Sequence, residues 1–148
     1  MRKFIPERGF MIDVSNLKEI PDFAGYYASF DGHIYTTLAQ GCRDRYDLTK
    51  RIEPREIKPR STKHGYDRVC LRRESTGKRE DLYIHRIIAE LFVPNLRNVE
   101  EVNHLDCNTH NNSASNLEWV TREENLKYAI IYGFMTRNAL GRFCHKAA

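Results

Sequence analysis

The sequence predicts an α+β fold, with antiparallel strands in its first half and a strand–loop–helix core in its second. Three observations carry this reading. Asp31-Gly32 separates two β-prone runs, residues 26–30 and 33–36, and Asp-Gly between such runs is a strong hairpin signal because both residues tolerate positive φ. Residues 66–73 alternate polar and apolar side chains, the pattern of a strand with one wet face. Thr121-Arg122-Glu123-Glu124 fits a capping box, in which a threonine and the glutamate three residues later satisfy each other's backbone donors at the start of a helix.

The elements follow in order. Residues 12–37 form a turn-and-strand unit; Ile20-Pro21 cannot continue a helix, since proline disfavours helical geometry in the residue before it. Residues 38–53 lack periodicity and read as a loop. Residues 55–58 form a short strand ended by Pro59. Residues 75–78 turn the 66–73 strand into a return strand over 81–84. Arg68 and Arg72 share one face of the first strand, Val69 and Leu71 the other. Such a ribbon is either an ordinary half-exposed hairpin or a basic face able to enter a major groove. Residues 85–93 form a helix with Ile87, Ile88, Leu91 and Phe92 as its apolar stripe, and Pro94 stops it. Residues 94–118 are loop-like and dense in asparagine, which bonds its own backbone and favours turns. The second helix starts after Thr121, buries Leu126, Ala129 and Ile130, and stops at Gly133.

The chain has 148 residues, 41% hydrophobic and 30% charged, enough apolar material for one packed core. The net charge is +4, but 14 of the 24 Lys+Arg fall in residues 43–86 against 8 acids. That segment is where a polyanion would be gripped. Within it Arg68, Arg72, Arg73, Lys78 and Arg79 are the candidate contacts. Cys42, Cys70, Cys107 and Cys144 make no C-x-x-C pair, so no structural zinc is expected. The first residues, Met1-Arg2-Lys3-Phe4-Ile5-Pro6-Glu7, put charge and proline where an export signal needs apolar residues. No apolar run reaches membrane-spanning length, so a cytoplasmic protein is expected.

The chemistry-bearing stretch is Val102-Asn103-His104-Leu105-Asp106, then Asn111-Asn112, Asn116-Leu117-Glu118-Trp119-Val120-Thr121, and Asn125. Phosphodiester hydrolysis needs an activated water, charge stabilisation on the phosphate and help for the departing oxygen. An imidazole can take a proton from water near neutral pH, and a hard cation held by oxygen ligands can supply the rest. Neighbours Asn103 and His104 point to opposite sides of a strand, so one can hold metal while the other faces a water. Asn125, in the first turn of the second helix, can bring another oxygen ligand.

This ordered set, from Ile84-His85-Arg86 through Asn125, resembles the HNH endonucleases, especially those of phage and intron homing type. Residues 20–27, with Ser29, Asp31-Gly32 and Ile34-Tyr35, resemble the modular motif that precedes such cores. Together the matches cover roughly residues 17–37 and 54–128. The resemblance implies a ββα-metal (His-Me finger) core within about residues 100–132, and double-stranded DNA as partner. It implies His104 as general base, Asn116 as the residue that bonds the loop and orients the base, and Asn103 and Asn125 as ligands of Mg²⁺ or Mn²⁺. His85 is either a satisfied structural histidine or a phosphate contact behind the site, and Asp106 either a ligand or a loop cap. The implied organisation is a β-rich DNA-binding module at 1–80, the nuclease core at 81–135 and a tail at 136–148. Cys107 stands where the family commonly has glycine, and Asn103, at a position the family fills with Asp or Asn, lacks the formal charge that Asp would bring. Two other readings stay open: a DNA-binding protein with an inactive core, and a nuclease of packaging or restriction. One centre per monomer implies nicking, with a homodimer or a second event needed to break both strands.

Overall fold

The computed structural model describes residues 4–7, 10–13, 16–38, 51–133, 135–137 and 143–145. Most of the loop expected over 38–53 lies outside these residues, as does Cys42. Strands β1 (Phe4–Glu7) and β2 (Phe10–Asp13) pair as a hairpin. A four-stranded antiparallel sheet follows in the order β3 (Lys18–Glu19), β4 (Tyr26–Ala28), β5 (Ile34–Leu38) and β6 (Arg51–Glu56). Of the strand expected over 55–58, only residues 55 and 56 are in a strand, as the end of the longer β6. A three-stranded sheet joins β7 (Arg60–Ser61), β8 (Asp67–Arg72) and β9 (Arg79–Tyr83). Helix α1 (Ile84–Phe92) comes next, then the hairpin of β10 (Glu101–His104) and β11 (Leu117–Val120) and helix α2 (Arg122–Ile131). Strands β12 (Met135–Arg137) and β13 (Phe143–His145) pair last. Mixed α+β architecture with antiparallel pairing is what the sequence predicts.

The hairpin around Asp31-Gly32 forms, but with five residues between its strands. Ser29 N–H donates to the His33 carbonyl, Gly32 N–H donates to the Ser29 carbonyl, and only Gly32 of the Asp-Gly pair has positive φ, at +91°. Gly32 is required for a second reason. A Cβ there would sit 2.6 Å from the carbonyl carbon of Asn112, in the loop between β10 and β11. The Phe30 carbonyl accepts from Ala114 N–H at 2.9 Å in the same place.

One apolar core runs through these elements: Ile20 and Phe23 from the turn between β3 and β4, Tyr26 and Ile34 from β4 and β5, Val69 and Leu71 from β8, Ile84, Ile87 and Ile88 from α1, and Leu117 from β11. Leu71 and Ile88 are fully buried, and truncating such a side chain to alanine costs about 2–5 kcal/mol. The boundary expected at 80/81 falls inside β9, and the core is shared across it. Helix α1 ends as expected, with Val93 extended before Pro94. Helix α2 opens on the expected capping box, Glu124 N–H donating to Thr121 Oγ1 and Thr121 N–H donating to the Glu124 carboxylate. Its expected buried stripe does not form: none of its residues is buried, and Ile130 is 41% exposed. The inner face of α2 lines a cleft instead of entering the core. No helix among the described residues is long and apolar enough to cross a membrane.

Candidate active site

The β10–β11 hairpin carries the site. Its register sets Glu101 opposite Val120, Asn103 opposite Glu118 and His104 opposite Leu117. Strand alternation therefore puts Glu101 and Asn103 on one face, and Val102 and His104 on the other. The loop between the strands is organised around Asp106. Its carboxylate accepts from Asn108 N–H at 2.8 Å, the Asn111 amide at 2.7 Å and the Asn116 amide at 2.8 Å. These bonds, Asn111's first, hold the Asp106 carboxyl below the usual carboxylate range. Asn116 Oδ1 accepts from Asp106 N–H in return, and its NH₂ also reaches the Asn111 carbonyl. Asp106 thus caps the loop, and Asn116 staples it.

His104 is 4% exposed. Its Nε2 lies 3.2 Å from Oδ1 of Asn112. An amide oxygen can only accept, so Nε2 carries the proton and Nδ1 keeps a lone pair. Burial pushes the imidazole below its ordinary value, opposed by the Asn112 hydrogen bond and the Asp106 charge. Asn116 bonds the loop, as expected from the sequence, whereas the side-chain hydrogen bond to the imidazole comes from Asn112. His85 packs beside His104 with ring centroids 5.3 Å apart, and Tyr66 packs against both. His85 is buried, and its Nδ1 has no hydrogen-bond partner. Burial first, then His104 and Arg86, push it down to about 4, so it stays neutral beside His104.

On the other side of the hairpin, α2 presents Asn125. Arg97 clamps the start of this helix through two bonds to Glu124, at 2.8 and 3.1 Å. The guanidinium holds the Glu124 carboxyl down to about 2. Asn125 donates from Nδ2 to Glu101 Oε2 at 2.6 Å. Because a carboxylate only accepts, this bond fixes the amide with Oδ1 as the atom able to ligate a cation. Glu101, Asn103, His104 and Asn125 line one cleft of about 1090 Å³, walled by Tyr66, Tyr128 and Tyr132. Glu101 is the one carboxylate among its described lining residues. A carboxylate and two amides are hard oxygen donors, the set that suits Mg²⁺ or Mn²⁺ rather than a thiophilic metal.

The expected basic contacts separate into two groups. The outer face of the β8–β9 ribbon holds Arg68, Arg72 and Arg79, with Arg72 directly opposite Arg79. Arg68 pairs with Asp81 at 3.3 Å, and Lys78 is exposed in the turn. Arg73 lies on the opposite face. Its guanidinium bonds both oxygens of Glu80, at 2.7 Å each, and Asp22 of the first module. It braces two sheets and is already matched by two carboxylates.

Profile comparison matches residues 82–127 to the family described as HNH endonuclease. Over that segment the chain is similar to the HNH endonucleases. It is 37% identical over 82 residues to the SPbeta prophage-derived putative HNH homing endonuclease YosQ of Bacillus subtilis (strain 168), covering 53% of this chain and 47% of the relative. It is 29% identical over 111 residues to the DNA endonuclease I-HmuI of Bacillus phage SP01, covering 74% of this chain and 55% of that protein. The solved structure titled "DNA binding and cleavage by the HNH homing endonuclease I-HmuI" superposes with a TM-score of 0.60 at 26% identity, over 79% of this chain and 59% of that one. The chain spans 22% to 55% of the length of the curated relatives it matches. HNH nucleases generally use a divalent metal, which agrees with the oxygen donors of this cleft.

Three residues around the site escape a motif-based reading. Glu101 sits two residues before Asn103, and strand parity alone puts both on one face. Asn112 is hidden among asparagines that read as turn builders. Asp67 shares the buried face of β8 with Val69 and Leu71, and a charge on an apolar face is the signal that something inside needs it.

Proposed function

We propose that this chain is a metal-dependent DNA endonuclease of homing type that hydrolyses a phosphodiester with His104 as general base. One observation carries the reading: a neutral histidine, tied at Nε2 by Asn112, lies in the same cleft as Asn103, Asn125 and Glu101. The tied Nε2 leaves Nδ1 to take the proton of an attacking water, and the lowered pKa keeps the ring in its accepting form near neutral pH. Asn103 and Asn125 would hold Mg²⁺ or Mn²⁺ through their amide oxygens. When bound, that cation supplies charge stabilisation for the phosphate and the departing 3′ oxygen. His85, neutral and packed against the base, keeps a second positive charge away from the ring that must become cationic. Double-stranded DNA lies along the outer face of β8–β9, contacted by Arg68, Arg72, Lys78 and Arg79. A monomer has one such centre and nicks one strand.

Supercoiled plasmid nicking by wild type and His104→Ala at matched DNA occupancy tests this. The variant should lose about 10²–10⁴-fold in rate, the usual worth of a general base, with affinity retained. Product ends should carry 5′-phosphate and 3′-hydroxyl. Asn125→Ala should be partly rescued by high Mn²⁺, whereas His104→Ala should not. Equal nicking by wild type and His104→Ala would remove His104 from the chemistry.

A further inference from the structure

Asp67 lies outside the segment that carries the HNH motif, on β8, yet it reaches that site. It is 6% exposed. Its Oδ1 accepts from Ser61 Oγ at 2.8 Å and stands 3.0 Å from His110 Nδ1. Its Oδ2 stands 3.5 Å from Asn112 Nδ2, and the His110 carbonyl stands 3.3 Å from the same nitrogen. Asn112 Oδ1 in turn meets His104 Nε2. Asp67, Asn112 and His104 are all buried, where an unmatched donor or acceptor costs most.

The polarity of this chain of bonds is set from one end. An ionised carboxylate has no proton to give. Whatever faces Asp67 Oδ2 must therefore be a donor, which turns the Asn112 NH₂ toward it and toward the His110 carbonyl. The amide oxygen then faces His104, and only an imidazole protonated at Nε2 satisfies it. We infer that Asp67 is a positioning residue that, through the Asn112 amide, selects the Nε2–H tautomer of His104 and so leaves Nδ1 as the basic nitrogen. The three-stranded sheet thereby contributes to the working form of a base carried by the β10–β11 hairpin. The value of this tautomer rests on the base assignment proposed above, whereas the tautomer itself does not.

The experiment uses the full chain labelled with ¹⁵N-histidine, without DNA or metal, at a pH where the rings are neutral. His104 is assigned by loss of its signals in His104→Gln. Wild type should show the Nε2–H pattern at His104. In Asp67→Asn the residue at 67 can present either a donor or an acceptor, so His104 should become a tautomer mixture. Its kcat for nicking should fall about 10- to 100-fold, the range in which partners behind a site residue act, with KM for DNA unchanged. Asn112→Asp in the Asp67→Asn background restores an acceptor-only group beside Nε2 and should return the wild-type pattern. This double variant also keeps the question answerable if Asp67→Asn alone fails to fold. An unchanged Nε2–H tautomer in Asp67→Asn overturns the inference, as does a double variant that stays mixed. A tautomer that shifts while nicking holds its rate supports the inference and removes His104 from the base role.

Discussion

Asn103 offers a cation an amide where an aspartate would offer charge, and Glu101 stands two residues away on the same face of β10. Its 2.6 Å bond to Asn125 does two things: it fixes which atom of that amide can ligate a cation, and it puts a carboxylate beside the site. Glu101→Gln keeps an acceptor for Asn125 and deletes the charge. It should weaken Mn²⁺ binding about 10- to 100-fold, as loss of partners behind metal ligands does. Titration followed by electron paramagnetic resonance reads this without DNA, and an unchanged Kd would deny Glu101 any part in the site. The departure from glycine at Cys107 has a visible cost at this scale. Its φ is +61°, a left-handed conformation that disfavours side chains by roughly 1–2 kcal/mol. His104 was legible in the sequence because its neighbours form an ordered pattern. Asn112 was not, because its role depends on where a twelve-residue loop folds back, and residue type alone does not give that.

At the scale of elements, the β8–β9 ribbon presents Arg68, Arg72 and Arg79 on one face and sends Arg73 to the other. Arg72→Ala and Arg79→Ala should each reduce the slope of log Kd for DNA against log salt by about one, as expected for loss of one phosphate contact. Arg73→Ala should leave that slope alone and lower thermal stability, since it strips Asp22 and Glu80 of their shared partner. Binding isotherms over several salt concentrations separate the cases; equal slopes for wild type and the Arg72 and Arg79 variants would move the DNA surface elsewhere. The period-2 pattern showed which face Arg68 and Arg72 share, but not that Arg73 finds one acid on β9 and another in the turn between β3 and β4. Helix ends were legible because Pro94 and the Thr121–Glu124 box are local signals. The exposure of α2 was not, since an apolar stripe looks the same whether it meets a core or lines a cleft. Strand β3, two residues long, is too short for any periodicity to announce.

For the molecule as a whole, the buried His85 links acidity to folding. Its ordinary value is 6.5, and in the folded protein it is held down to about 4. The unfolded chain therefore takes up a proton first as pH falls. This contribution to stability is complete above about pH 6.5 and is lost progressively as pH falls through about 4, with an upper bound of about 3 kcal/mol. Urea midpoints measured between about pH 7 and pH 4 should fall more steeply for wild type than for His85→Phe, which cannot titrate. Parallel curves would show that other groups govern acid unfolding. The shared core makes such an effect global, because α1 packs on both the first sheets and the β10–β11 hairpin. The approach of Gly32 to the Asn112 backbone has a different kind of consequence. Genes of this sort are readily imagined as assembled by shuffling one cutting piece among many gripping pieces. Here the two pieces meet where not even a methyl group fits, and the loop they share is the one that holds the His104 imidazole. A core transplanted onto a foreign hairpin inherits a collision unless donor and recipient agree at positions 32 and 112, so heredity can trade the halves only as a matched couple.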